Sequence, residues 1–161
     1  MDFRFSDEQQ AIRDAVARIC AKYDDAYWLA RDREGGFPDD FVADIAAGGW
    51  LGVAMPEEYG GSGLGVTEAA IVAQTIAESG ACLSGASAIH INLFGPMPVV
   101  VFGTAEQKER NLPPLIRGED RCCFGVTEPD AGLNTTSIST RAERDGDKYV
   151  VHGRKTWTST P

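Results

Sequence analysis

The sequence predicts an α+β protein. An N-terminal all-α helical domain over residues 1–117 is followed by an incomplete antiparallel β-barrel domain over residues 118–161. Three observations carry this reading. Before residue 118, apolar residues recur at three- and four-residue steps, the period of one helix face. Two capping boxes, Ser6-Asp7-Glu8-Gln9 and Thr104-Ala105-Glu106-Gln107, stand ahead of such stretches. After residue 118 the pattern changes to alternation around Asp145-Gly146, a tight-turn signal.

Taken in order, Ile12, Ala15, Val16, Ile19, Cys20, Tyr23 and Tyr27 predict one long helix ending before Gly35-Gly36. A short helix follows Pro38, with Phe41 and Ile45 inward and Gly48-Gly49 as its stop. Residues 50–66 are glycine-rich and read as an ordered loop. Thr67 is placed to cap a helix running to about Ser79, with Val72, Thr75, Ile76 and Ser79 on one face. Residues 81–102 are almost free of charge and should be buried on most sides, with a break at Gly95-Pro96-Met97-Pro98. The last helix carries Leu112 and Leu115 and closes at Gly118. Residues 122–127 suit a strand, as do Ile138–Arg144, Lys148–Val151 and Arg154–Thr158, a meander of three or four strands. Its last strand ends without a closing element, and an unpaired apolar edge invites association. The chain is therefore expected to be a piece of something larger, or to be completed by a partner.

Composition bounds the function. The chain has 161 residues, and 43% hydrophobic against 24% charged side chains is ordinary for a globular protein with a core. Fifteen Lys and Arg against 24 Asp and Glu leave a charge of −9, which repels nucleic-acid phosphates and anionic lipid. Neither nucleic acid nor a membrane is expected as a partner. No uninterrupted apolar run reaches the roughly 20 residues needed to span a bilayer, and Met1-Asp2-Phe3-Arg4 does not begin a signal peptide. Cys20, Cys82, Cys122 and Cys123 lack CxxC spacing, which points to a reduced, cytoplasmic setting without zinc or a disulfide framework. His90 and His152 have no ligand-spaced partners and read as structural, so no metal site is expected.

Three segments resemble the acyl-CoA dehydrogenase family. Pro56-Glu57-Glu58-Tyr59-Gly60-Gly61-Ser62-Gly63 resembles its P-x-E-Y-G-G-x-G loop. Phe124-Gly125-Val126-Thr127-Glu128-Pro129-Asp130-Ala131-Gly132 resembles its T-E-P-x-A-G flavin segment, and Gly153-Arg154-Lys155-Thr156-Trp157-Thr158-Ser159 its G-x-K-x-W-x-[TS] strand. Order, spacing and the helix-then-strand layout agree. The resemblance implies an N-terminal helical domain, a middle β-barrel and a C-terminal four-helix bundle. This chain matches the first and the beginning of the second.

The resemblance implies FAD. It sets the Thr127 hydroxyl and the backbone of Phe124, Gly125, Val126 and Thr127 at the pyrimidine edge of the flavin, where preorganised donors stabilise the charge of reduction. It packs Trp157 on the isoalloxazine, places Ser159 near the reactive nitrogen, and includes Thr158, Gly132 and Leu133 in the cofactor set. Many members carry a serine where this chain has Leu133, and Asn134 or Thr135 is the alternative phosphate-side contact. The segments around Thr127 and Trp157 should then lie side by side as one wall of the niche. Tyr59-Gly60-Gly61 reads as structural. The uncharged 81–102 stretch is either core or the wall of the apolar acyl slot that the resemblance implies there, with Phe94 and Met97, together with Leu133, as candidates for substrate contact.

The reaction so implied is α,β-dehydrogenation of an acyl-CoA to the trans-2-enoyl-CoA in fatty acid metabolism. The implied electron acceptor is an electron-transferring flavoprotein, and the complete enzyme is expected to be a homo-oligomer. No catalytic residue is assigned here. Glu128 stands beside Pro129 in a shape-setting loop, and the family's base is a glutamate of the later domain, so the 161-residue chain alone is expected to be inactive. Two other readings remain: an acyl-CoA oxidase or flavin monooxygenase of the same fold, and a non-catalytic helical module that binds a partner.

Overall fold

The computed structural model describes residues 4–158. The chain divides between Cys122 and Cys123 into two compact units. The first contains α1 (Asp7–Cys20), α2 (Asp25–Glu34), α3 (Asp39–Ala47), α4 (Val66–Ala77), α5 (Cys82–Phe94), α6 (Met97–Phe102) and α7 (Ala105–Ile116). Two single-turn 3₁₀ segments, Trp50–Gly52 and Glu57–Tyr59, lie in the loop before α4. The second unit carries a 3₁₀ turn at Thr135–Ser137 and the hairpin β1 (Arg141–Asp145) and β2 (Lys148–His152).

Both capping boxes form. The Ser6 and Thr104 hydroxyls accept from the N–H of Gln9 and Gln107, and each glutamine side chain accepts the cap residue's own N–H. Where one helix was expected up to Gly35, there are two. Asp24 accepts from Tyr27 N–H at 2.9 Å and starts α2 afresh. Tyr23 and Tyr27 keep the four-residue step across the junction, so periodicity does not register the break.

Helix α4 is capped differently from expectation. Thr67 is exposed within its first turn, and the Glu68 carboxylate accepts from Gly65 N–H at 3.1 Å. The other Glu68 oxygen accepts from the Gln9 side chain, which ties α1 to α4. Val16, Phe41, Ile45, Leu51, Val53, Val72, Ile76 and Ile89 form the core of this unit, all at 1% exposure or less. Met55, Leu112 and Ile116 make a smaller cluster with Tyr59, Val99 and Val100. The glycine loop is ordered by its own backbone: Ser62, Gly63 and Leu64 N–H donate to Gly52, Met55 and Val53 carbonyls. A Cβ on Gly61 would sit 2.2 Å from the Met55 carbonyl oxygen, so this close approach requires glycine.

The 81–102 stretch departs from expectation in two ways. It is broken at Gly95-Pro96, as its prolines require, but it is not buried on most sides. Leu83, Val101 and Phe102 are exposed, and only Gly85, Ile89, Asn92 and Leu93 of α5 are buried. By length and composition, Cys82–Phe102 is also apolar enough to cross a membrane, with mean hydropathy 1.4 over its best window. Counting uninterrupted apolar residues missed this, because Ser, His and Asn are averaged in. Within this stretch, buried Asn92 accepts from Cys122 N–H at 3.0 Å and donates to the Asp120 carbonyl at 3.3 Å, which ties α5 to the segment after α7.

The meander is reduced to one hairpin among the described residues. Arg141 pairs with His152 and Asp145 with Lys148, around a turn in which Gly146 takes φ +63°. Residues 122–127 and 154–158 form no ladder. An apolar alternating run supplies strand propensity, yet a strand exists only where a second backbone completes the pairing.

Candidate functional site

The second unit brings two of the motif segments together. Thr156 N–H donates to the Thr127 carbonyl at 2.9 Å. Lys155 Nζ donates to the Val126 carbonyl at 3.0 Å. A Cβ on Gly125 would lie 3.3 Å from Thr158 Oγ1, so the segments are in close contact there. Residues 125–127 and 155–158 therefore run side by side.

This arrangement sorts donors from acceptors. The carbonyls of Val126 and Thr127 are occupied from across the gap. The N–H groups of Gly125, Val126 and Thr127 meet no acceptor among the described residues, and neither does the Thr127 hydroxyl. Unpaired N–H groups are expensive to bury without an acceptor. These donors follow one another along a segment in which Gly125 is exposed and Val126 and Thr127 are half-buried, and the row is open to an acceptor beyond the described residues.

Trp157 lies beside this row at 90% exposure, with φ +60°. A bulky residue in the left-handed region is strained and uncommon. Leu133 is fully exposed, Gly132 is exposed and Phe124 is half-exposed. Thr158 is half-buried, and Ser159 lies outside the described residues. An exposed indole next to donors that meet no acceptor among the described residues fits a flat, heteroatom-edged ring system such as a flavin. A flat ring presents one apolar face and one acceptor-rich edge.

Of the substrate candidates, Phe94 ends α5 at 42% exposure and Met97 begins α6 half-buried, on either side of the Gly95-Pro96 break. Leu133 belongs to the other unit. A groove of about 270 Å³ between α6 and α7 is lined by Val99, Phe102, Gln107 and Arg110, but not by Phe94 or Met97.

Glu128 is buried and fully engaged. One carboxylate oxygen accepts from Ser139 N–H at 2.6 Å and Ser139 Oγ at 2.8 Å. The other accepts from Thr140 N–H at 3.0 Å, from the Thr140 hydroxyl, and from Lys155 Nζ at 2.9 Å. Bonds from Thr140 first, then from Lys155 and Ser139, hold its carboxyl far below the usual carboxylate range. A carboxylate so stabilised is a poor proton acceptor.

Sequence reasoning did not find Lys155, Ser139 or Thr140 as partners of Glu128. Lys155 lies inside a motif, but no local signal marks the two hydroxyl residues. Asn92 carried a detectable signal, being the one amide side chain in a helix without Asp, Glu, Lys or Arg.

Two family models match the chain: "Acyl-CoA dehydrogenase, N-terminal domain" over residues 6–119 and "Acyl-CoA dehydrogenase, middle domain" over residues 123–160. The acyl-CoA dehydrogenase FadE12 of Mycobacterium tuberculosis is 38% identical over 158 residues, covering 96% of this chain and 39% of the relative. The benzylmalonyl-CoA dehydrogenase of Aromatoleum aromaticum is 36% identical over 162 residues, covering 43% of its own length. Among solved structures, a glutaryl-coenzyme A dehydrogenase in complex with glutaryl-CoA superimposes with a TM-score of 0.84 at 32% identity, over 98% of this chain and 40% of that one. The chain thus spans about two fifths of the length of the relatives it matches.

Proposed function

The chain belongs to the acyl-CoA dehydrogenase family, and from that premise we propose that it supplies the helical part and the flavin-edge wall of an FAD-dependent acyl-CoA dehydrogenase. The observation that carries the proposal is the donor row on 125–127, set against the segment that holds Trp157.

The N–H groups of Gly125, Val126 and Thr127 and the Thr127 hydroxyl donate to the acceptor edge of the cofactor. Phe124 and Trp157 contribute flat apolar area, Gly132, Leu133 and Thr158 complete this side, and Ser159 is assigned by motif position. When bound, FAD supplies the two-electron acceptor for the β-hydride of an acyl-CoA whose α-proton leaves to a base, the product being trans-2-enoyl-CoA. Donors that are already oriented stabilise charge developing at that edge without reorganising, which is their advantage over water. Phe94, Met97 and Leu133 are assigned to the acyl chain. Glu128 is committed to the Ser139–Thr140–Lys155 cluster and is not assigned as the base. An electron-transferring flavoprotein is the proposed acceptor of the electrons.

The test is FAD titration of the full-length protein, followed by flavin absorbance and tryptophan emission. Binding is expected to quench emission, with the quenching largely lost in Trp157→Ala while Trp28 and Trp50 still emit. Bleaching of the bound flavin by acyl-CoA, with enoyl-CoA formed, is the expected reaction. Absence of FAD uptake by the wild type overturns the proposal. Faster turnover with oxygen than with an electron-transferring flavoprotein would replace it with an oxidase.

A further inference from the structure

Lys155 makes two contacts, and only one of them is needed for its evident partner. Glu128 already accepts two N–H and two hydroxyl bonds from Ser139 and Thr140. Four donors satisfy a carboxylate, which offers about four lone-pair sites. The ammonium is thus not required to fill the acceptor capacity of Glu128. The carboxylate instead anchors the ammonium, which is only partly exposed, against a second acceptor: the Val126 carbonyl at 3.0 Å.

That carbonyl belongs to the peptide whose N–H is carried by Thr127. A cation donating to a peptide oxygen draws electron density from the amide and makes its N–H a stronger donor. Hydrogen bonds in series polarise one another in this way, and more so where the local dielectric is low. The Thr127 N–H has no acceptor among the described residues and ends the run of candidate N–H donors, next to the Thr127 hydroxyl.

We propose that Lys155 is a positioning and polarising residue for the flavin edge, acting through the Val126–Thr127 peptide to favour the reduced over the oxidised cofactor. This rests on the flavin reading of the site. Lys155 touches neither the substrate nor the cofactor in this account. Its effect is delivered by one backbone N–H and is largest when negative charge accumulates at the ring edge.

The experiment is a spectroelectrochemical titration of the FAD-loaded full-length protein, comparing wild type, Lys155→Met and Thr140→Val. Lys155→Met keeps an unbranched stem of the side chain and removes the cation. It is expected to lose roughly tenfold in preference for reduced over oxidised cofactor, about 30 mV more negative for a two-electron couple. Thr140→Val removes one donor from the Glu128 cluster and leaves both lysine contacts in place. It is expected to lower stability without moving the potential. If Lys155→Met fails to fold, Lys155→Gln is read in the same way, because a neutral amide on a shorter stem polarises less. A wild type that takes up no FAD overturns the flavin reading and this inference with it. A loaded wild type whose Lys155 variants keep its potential overturns this inference alone, as does Thr140→Val shifting the potential as far as Lys155→Met.

Discussion

Glu128 shows how much a single side chain can organise. Its partners come from 11, 12 and 27 residues further along the chain, so one carboxylate closes three loops at once. The folded-state carboxyl titrates far below the unfolded value of roughly 4.3. Its contribution to stability is therefore complete above that unfolded value and is lost as pH falls through the lowered folded value. Unfolding of the second unit, followed by circular dichroism from pH 6 downward, is expected to become easier below about pH 4. In Glu128→Gln that acid dependence is expected to flatten, with lower stability at neutral pH. A second residue-scale effect is steric. Gly61→Ala drives a methyl against the Met55 carbonyl and should cost about 1–3 kcal/mol in chemical denaturation, as overpacking does.

Among the elements, the two capping boxes and the hairpin were legible, whereas the caps of α2 and α4 and the pairing of the remaining strand candidates were not. Ser6, Thr104 and Gly146 act over three or four residues of chain, and the structure uses each as its local pattern implies. Asp24 belongs to the same class, but the aromatic step from Tyr23 to Tyr27 ran across it and concealed the break. That step is itself tertiary in origin. Tyr27 packs edge-on with Tyr23 and with Trp28, and Tyr23 and Trp28 each do so with Phe41 of α3. Asp24→Ala is expected to cost about 1 kcal/mol and to fray the start of α2, seen as a loss of amide protection at Tyr27 and Trp28. The segments at 122–127, a short unbroken apolar run, and at 154–158 were expected as strands and are irregular. A strand needs a partner's backbone, and alternation does not say where that partner is.

Across the whole molecule, burial is uneven. The first unit has a continuous core from α1 through α5, whereas every residue of β1 and β2 is exposed. Local stability follows buried apolar contact. Hydrogen exchange is expected to be fast in Arg141–His152 and slow around Val16, Ile45 and Val72. Added FAD is expected to slow exchange at 125–127 in particular, and at 100 times its dissociation constant to raise the unfolding free energy by about 2.7 kcal/mol. Phe41→Ala, at the centre of the core, is expected to cost about 3–5 kcal/mol in denaturant midpoint measurements while leaving the hairpin turn intact.

By itself, the amino-acid order determined the helical first half, both capping boxes, the hairpin turn and the three motifs that carry the family likeness. These are signals whose parts lie a few residues apart and whose physics is complete within one turn of chain. Tertiary structure alone decided that Glu128 is consumed by Ser139, Thr140 and Lys155, that the carbonyls of 126 and 127 are taken while their N–H groups meet no acceptor among the described residues, and that α5 and α6 leave much of their apolar surface uncovered. Each of those outcomes depends on which distant group arrives to satisfy a polar atom or cover an apolar one. Periodicity along the chain does not contain that information.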